Sequence, residues 1–509
     1  MYFFIFFHFS CGVKELFNTK EIPIHEGLIP LLNPALKPFY FGVASGDPDP
    51  QSVVLWTRVT PEGRPKNIKV LWRISPFEDL RQVVDSGMVN TSPDRDYTVK
   101  PIAQNLQPHT DYYFQFTYQG VSSVTGRTKT TPTSEAQQLK FAVVSCNNYE
   151  AGYFNGFARI AEQDNLDAVI HLGDYIYEYE PGKYGNKNLS RKHQPPKELI
   201  TIQDYRTRYA QYRLDNDLSR LHQLIPFINI WDDHEIANNA YVSGAENHQK
   251  DEGIYLERRN AAQKAFYEWL PVRETVPKKL YRTIKYGSLA QWIMLDERLE
   301  ARSAPGVAEP QPEGNTPILL GETQKEWLFA QLTTTACQWS LIGNQVIFSP
   351  VIQSQVGRKP NVDAWDGYGS ERSSVLNYIY GHHLNNVVFL SGDTHSSWAF
   401  EVPLTVEDYR QNHRSIAVEL GTPSITSANS DERIGLDSTL WVESKLKDDL
   451  YNPHLKYLNL HDHGYLMLTV RTTEVLAEWR YVPHIDEAHL EEYIGHRVRI
   501  IHGVPRIIQ

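Results

Sequence analysis

Residues 228–239 read INIWDDHEIANN, and the run leading into them (Pro226, Phe227, Ile228, Ile230, Trp231) has the apolar density of an interior strand. Where that strand surfaces, the chain sets Asp232, Asp233, His234 and Glu235 in succession. Three carboxylates and an imidazole at one strand end repel one another unless positive charge sits among them. The stretch therefore demands a sheet whose other strands end nearby, and a cation for them to surround.

The surrounding sequence supplies that sheet. From residue 139 onward, short apolar strands alternate with amphipathic helical stretches, the grammar of a layered α/β domain. Strands are expected at 139–145, 166–172, 225–231, 289–295, 338–343 and 386–392, and helices at 153–163, 203–222, 257–269 and 322–334. In the helix beginning near Thr201, Ile202, Tyr205, Tyr209 and Tyr212 recur at three- and four-residue steps, a face suited to packing on the sheet.

The residues just past each strand carry the chemistry. One strand ends in Cys146-Asn147-Asn148, another in Gly173-Asp174-Tyr175-Ile176-Tyr177, and a third in Asp232-Asp233-His234-Glu235; the last two end in Asn344-Gln345 and Asp393-Thr394-His395. Each taken alone has an ordinary explanation, such as a turn aspartate or a small core cysteine. Five at the same register point to one edge of the sheet, where open α/β folds bind ligands. Metal ions are the economical source of the missing positive charge.

The donor types suggest two unlike ions. A thiolate (Cys146), a phenolate (Tyr177), a carboxylate and an imidazole (His395) suit a trivalent ion such as Fe³⁺. Asp233 and Asp393 offer harder oxygen ligands, suited to Ca²⁺, Mg²⁺ or Mn²⁺. Asp174 is the natural bridge, and Asn344 or Gln345 could complete the second site through a side-chain carbonyl.

Upstream, β-like runs at 52–59, 68–74, 83–89 and 110–119 have the spacing of an antiparallel sandwich. The string from Leu106 to Tyr112 resembles the tyrosine corner of fibronectin-type domains. The expected organisation is an N-terminal segment (1–39), a small fibronectin-like β-sandwich (40–131), a polar linker (128–138), a two-sheet α/β sandwich (139–485) and a C-terminal extension (486–509), with a long surface loop at 300–318.

The first ten residues, MYFFIFFHFS, run into Cys11-Gly12, like a secretory leader ending at a bacterial lipoprotein site. Export to the periplasm or cell surface, with lipid attachment through Cys11, is the expectation. Cys11, Cys146 and Cys337 are too few for a disulfide framework. The net charge of −11 excludes a general nucleic-acid-binding face.

With these motifs in view, the chain resembles the alkaline phosphatase D family of metallophosphatases and, more distantly, the purple acid phosphatases. The resemblance covers roughly residues 40 to 482 and rests on FGVASGDP (41–48), SVVLWTRV (52–59), SCNN (145–148), HLGDYIYEY (171–179), WDDHE (231–235), LIGNQ (341–345), DAWDGY (363–368) and SGDTHSSW (391–398). It implies that Cys146, Asp174, Tyr177 and His395 hold ferric iron. Asp174 would bridge to a second ion, calcium, also held by Asp233 and Asp393, with His234 as the catalytic histidine. Against the general signature Gly-Asn-His-Asp/Glu, the chain reads Asp-Asp-His-Glu, so Asp233 replaces an asparagine ligand; Gly-His-x-His becomes Gly-Asp393-Thr-His395. Both departures add negative charge and favour a hard divalent ion over zinc.

The implied activity is hydrolysis of phosphate mono- or diesters by attack of an ion-bound hydroxide, with His234 assisting the leaving oxygen. Two alternatives stand beside it: a diesterase confined to a polymer such as teichoic acid or nucleic acid, and a surface-binding protein with a relic metal site. Arg58 and Arg206 could touch phosphate but are expected in exposed salt bridges, Trp365 and Tyr368 in the pocket or packing a loop, and Cys337 in the core. His461-Asp462-His463 is a minor ligand candidate.

Overall fold

A computed structural model describes residues 23–134, 136–275, 278–305 and 316–508. The leader, Cys11 and the centre of the 300–318 loop lie outside the described residues. No helix among the described residues is long and apolar enough to cross a membrane.

The apolar strands Gln138–Val144, Ala168–His171 and Phe227–Asn229 lie side by side in parallel. Buried on both faces, they have no need of polar alternation to satisfy water. They sit within an eleven-stranded sheet, which antiparallel pairs extend through His463–Arg471, Glu474–Val482, Tyr493–Ile501 and Ile507–Ile508. A second sheet of seven strands contains Ala290–Met294, Trp339–Gly343, Val387–Ser391 and Ala417–Gly421 in parallel register. The sheets face one another across the main core, where Phe141 meets Tyr286 and Trp292 edge-on at 4.9 and 5.3 Å. This is the expected two-sheet α/β sandwich.

The four expected helices are present with one change, and Gly369–Gly381 and Leu436–Leu446 are further helices that the sequence reading did not name. The expected helix 203–222 is two helices, Ile202–Arg213 and Asn216–Leu224. The Asp215 carboxylate accepts from the backbone amides of Asp217 and Leu218, at 3.0 and 3.2 Å, and so starts the second. Thr201 and Asp204 close a capping box at the start of the first, and Tyr205, Tyr209 and Tyr212 are fully buried.

The N-terminal sandwich has a layer of its own, built on Ile68–Ser75, Asp85–Thr91 and Asp111–Tyr118. Its tyrosine corner is present: the Tyr112 hydroxyl accepts from the Gln107 amide at 2.7 Å. The opposing layer, Val43–Asp49, Ser52–Arg58, Thr98–Val99 and Ile102–Ala103, belongs to the large sheet, because Gly46 pairs in parallel with Phe227. The linker at 128–138 thus divides two sequence grammars but not two sheets. Residues 493–508 likewise form the far edge of the large sheet rather than a free extension.

Candidate metal centre

The loops at the carboxyl ends of these strands bend sharply. Cys146, Asp174, Asp393 and His395 all take left-handed backbone, with φ between 56° and 62°. Such strain persists only where the surroundings impose it, and it clusters at functional sites. Gly173, at φ 109°, is required for the turn: a Cβ there would lie 2.4 Å from the Asp232 backbone nitrogen.

The bends bring donors together from positions as distant in the chain as Cys146 and His395. Ligand atoms of Cys146, Asp174 and His395 lie within 4.8 Å of one another, as do those of Asp174, Asp233 and His234, and those of Asp232, Asp233 and Asp393. Tyr177 joins the first group, its hydroxyl donating to Asp174 Oδ2 at 3.0 Å and lying 3.4 Å from His395 Nε2. Asp174 and Asp233 each belong to two of the groups. The structure therefore gathers Cys146, Asp174, Tyr177, Asp233, His234, Asp393 and His395 at one place.

The electrostatics fit a cation. Burial, and then repulsion from neighbouring carboxylates, pushes the Cys146 thiol, the Tyr177 phenol and the Asp174 and Asp393 carboxyls towards their protonated forms. Asp233 Oδ1 and Asp232 Oδ2 are buried without a hydrogen-bond partner. A metal ion among the donors would satisfy the Asp233 oxygen and hold the set anionic, while Asp232 is the carboxylate that Arg298 faces. His395 is pushed down to about 3 by burial and by Arg433, so it is a neutral imidazole. Its Nδ1 lies 3.0 Å from the Ala428 carbonyl, an orientation that leaves Nε2 facing the cluster.

Three further residues complete the site: Glu235, which the sequence sets beside the donors without a role of its own, and Glu178 and Arg298, which it does not single out. Glu235 organises both loops, accepting from the amides of Asp174 (3.0 Å), Tyr175 (2.7 Å) and Asp232 (2.9 Å). Glu178 lies 2.7 Å from His234 Nδ1 and is itself held by the Asn238 amide and Asn247 Nδ2, both at 2.8 Å. Burial opposes a charged His234, but Glu178, Asp233 and Asp174 outweigh it and hold its pKa well above the usual value. Arg298 is the protein's own positive charge. Fully buried, it lies 2.5 Å from Asp232, 2.8 Å from Asp363, 3.3 Å from Asp393 and 3.7 Å from Asp233. Glu178 and Arg298 also had a signal that could have found them. Glu178 stands inside the motif HLGDYIYEY, and Arg298 comes just after the strand 289–295, where the strand-end rule reaches it directly.

Other candidates lie elsewhere. Asn344 spends its amide on Trp365, Ser391 and Val346, and Gln345 donates to the carbonyls of Trp231 and Leu295, so both tie strand ends together inside the protein. Arg58 and Arg206 are buried rather than exposed, paired with Asp96 and Glu268. Trp365 and Tyr368 are buried packing residues. His461 turns to Glu443 and His463 to Ser424, so they do not converge as ligands. Cys337 is half-buried and donates to the Gly287 carbonyl, outside the core.

Above the centre opens a cleft of about 540 Å³, floored by Asp174, Asp233, His234, Asp393 and His395. Arg433 stands on one wall, bonded to the Tyr184 hydroxyl and 3.4 Å from His395 Nδ1.

Comparison with known proteins accords with this geometry. Residues 141–479 match the family model of the PhoD-like phosphatases, and residues 32–132 match that family's N-terminal domain. Alkaline phosphatase D of Bacillus subtilis (strain 168) is 36% identical over 469 residues, covering 88% of this chain and 78% of the relative. A solved structure of PhoD superposes with a TM-score of 0.83 at 33% identity, covering 94% of this chain and 93% of that one.

Proposed function

The chain belongs to the PhoD-like phosphatase family and is a phosphoric ester hydrolase, and on that basis we propose that it cleaves phosphate mono- and diesters with two unlike metal ions. In this proposal Cys146, Asp174, Tyr177 and His395 would hold Fe³⁺, while Asp174, Asp233 and Asp393 would hold a divalent ion, Ca²⁺. The observation that carries the proposal is the convergence of thiol, phenol, carboxylate and imidazole donors on one buried point. Sulfur and phenolate donors favour the trivalent ion, and the all-oxygen set the hard divalent one.

When bound, the ions supply Lewis acidity towards the phosphate oxygens and the nucleophilic water. The protein supplies orientation and a proton. Glu178 fixes the ring of His234 and keeps it protonated, so that the ring can donate to the leaving oxygen. Arg433, which has no carboxylate partner among the described residues, is placed to offset charge on a phosphate oxygen in the cleft. The Glu235 carboxylate keeps the loops of Asp174 and Asp232 in register as charge develops.

Metal analysis and the visible spectrum of the purified protein test this directly. Iron with a charge-transfer band that Cys146→Ala or Tyr177→Phe alters is the expected result, with turnover of p-nitrophenyl phosphate and its bis-ester. A colourless, iron-free and fully active enzyme would refute the ferric assignment. Export with lipid attachment at Cys11 is part of the same proposal, supported by the apolar leader. Mass spectrometry of the mature amino terminus in its native host checks it.

A further inference from the structure

The cleft is larger than a single phosphate needs, and one wall carries charge that the metal centre does not use. We propose that Arg358 and Lys359 form a subsite for a second phosphate group of the substrate, so that the enzyme favours esters bearing another phosphate beside the scissile one. The proposal rests on the phosphoesterase function stated above.

Both side chains line the cleft that the metal centre floors, and both are exposed. Neither side chain has a hydrogen-bond or ion-pair partner among the described residues. Beside this cleft Arg298 is paired with Asp232 and Arg302 with Asp363. The nearby acidic group that also lines the cleft, Asp366, is taken by Arg372 at 2.6 Å and leaves Arg358 and Lys359 free.

The wall is anchored where it must be. Ile352 and Asn452 exchange two hydrogen bonds of 2.9 Å, His454 Nε2 lies 2.8 Å from the Pro350 carbonyl, and Gln355 reaches the Lys445 carbonyl at 3.3 Å. The two cations are thus presented by a segment tied to the helix Leu436–Leu446 and the turn after it. A dianion bound over the metal centre would share the cleft with them, and a second anionic group on the same molecule would meet two solvated, unpaired donors. Phosphate suits an arginine fork and a lysine point charge together.

Two matched substrates test the subsite on the metal-loaded, full-length enzyme: thymidine 5′-(p-nitrophenyl phosphate) and its 3′-phosphorylated counterpart. At low salt the second should have a kcat/KM about tenfold higher, expressed in KM, the scale of two exposed charge contacts. That ratio should shrink as NaCl rises from about 50 to about 500 mM. It should fall to about 1 in Arg358→Gln/Lys359→Gln and below about 1 in Arg358→Glu/Lys359→Glu, with thermal unfolding and metal content as in the parent. A parent ratio near unity, or a ratio that survives both double variants, overturns the subsite while leaving the phosphoesterase standing. Cleavage of neither substrate by the metal-loaded parent overturns the phosphoesterase function, and the subsite with it.

Discussion

Replacing Arg298 by methionine keeps most of the side-chain volume and deletes its charge. The guanidinium is fully buried and contacts four carboxylates, the shortest being Asp232 at 2.5 Å and Asp363 at 2.8 Å. Asp363 keeps a second partner in Arg302 at 2.5 Å, so the group left stranded is Asp232, whose other oxygen already has no partner. Removing one member of a buried ion pair costs about 3–5 kcal/mol, because the remaining charge stays desolvated and alone. Replacing both members by neutral groups of similar shape costs much less. Arg298→Met should therefore lower stability by about 3–5 kcal/mol, and Arg298→Met/Asp232→Asn should recover at least about 2 kcal/mol of that loss. Guanidinium unfolding monitored by tryptophan fluorescence, with both metals saturating, measures the cycle. A single variant as stable as the parent, or a double variant no better than the single, would show that Arg298 is not the counter-charge of Asp232.

The same geometry sets three further outcomes. His234→Ala should reduce kcat by about 10²–10⁴-fold with metal content unchanged, and Glu178→Gln should reduce it less while moving the alkaline limb of the pH–rate profile to lower pH, since Glu178 is what holds His234 protonated; steady-state kinetics beside metal analysis checks both. Gly173→Ala forces a Cβ against the Asp232 backbone at 2.4 Å and an unfavourable φ, so it should cost several kcal/mol and with it metal retention, read by thermal unfolding and metal analysis. Burial opposes the charge on Glu274, but Lys100 and Lys278 outweigh it and hold the carboxyl at about 2, below its ordinary 4.5. Its contribution is therefore present above about pH 4.5 and lost as pH falls through about 2. The burial that pushes Lys100 down to about 8 offsets part of this gain. Glu274→Gln should then cost about 1–2 kcal/mol at about pH 7, and its stability should converge on the parent's as the pH is lowered from about 4.5 towards about 2.5, which urea unfolding at a series of pH values measures.

Much of the fold was legible because its signals are local. Short apolar runs placed most of the parallel strands, the helix expected to begin near Thr201 does so, and Leu106 to Tyr112 carried the tyrosine corner. The donor types of Cys146, Asp174, Tyr177 and His395 were likewise visible, since each lies at or just past a strand end. The break between the two helices at Asp215 is a local capping signal too, but the apolar periodicity continued across it and masked it.

Partner choice was not legible in the same way. Arg298 and Asp232 stand 66 residues apart, and nothing in either neighbourhood announces the other. Asn344 and Gln345 have the right chemistry at the right register, yet packing turns them inward to join strand ends. The sharing of one sheet between the N-terminal sandwich and the α/β layers rests on the pairing of Gly46 with Phe227. The order of residues alone was enough to place the strands that carry the donors and to name the donors at their ends. It took the folded chain to show which carboxylates gather with the other donors, which face Arg298, and where the cleft presents unpaired positive charge. Backbone geometry is set within a few residues, whereas electrostatic pairing in a buried site depends on distances of a few ångströms between segments that only folding brings together.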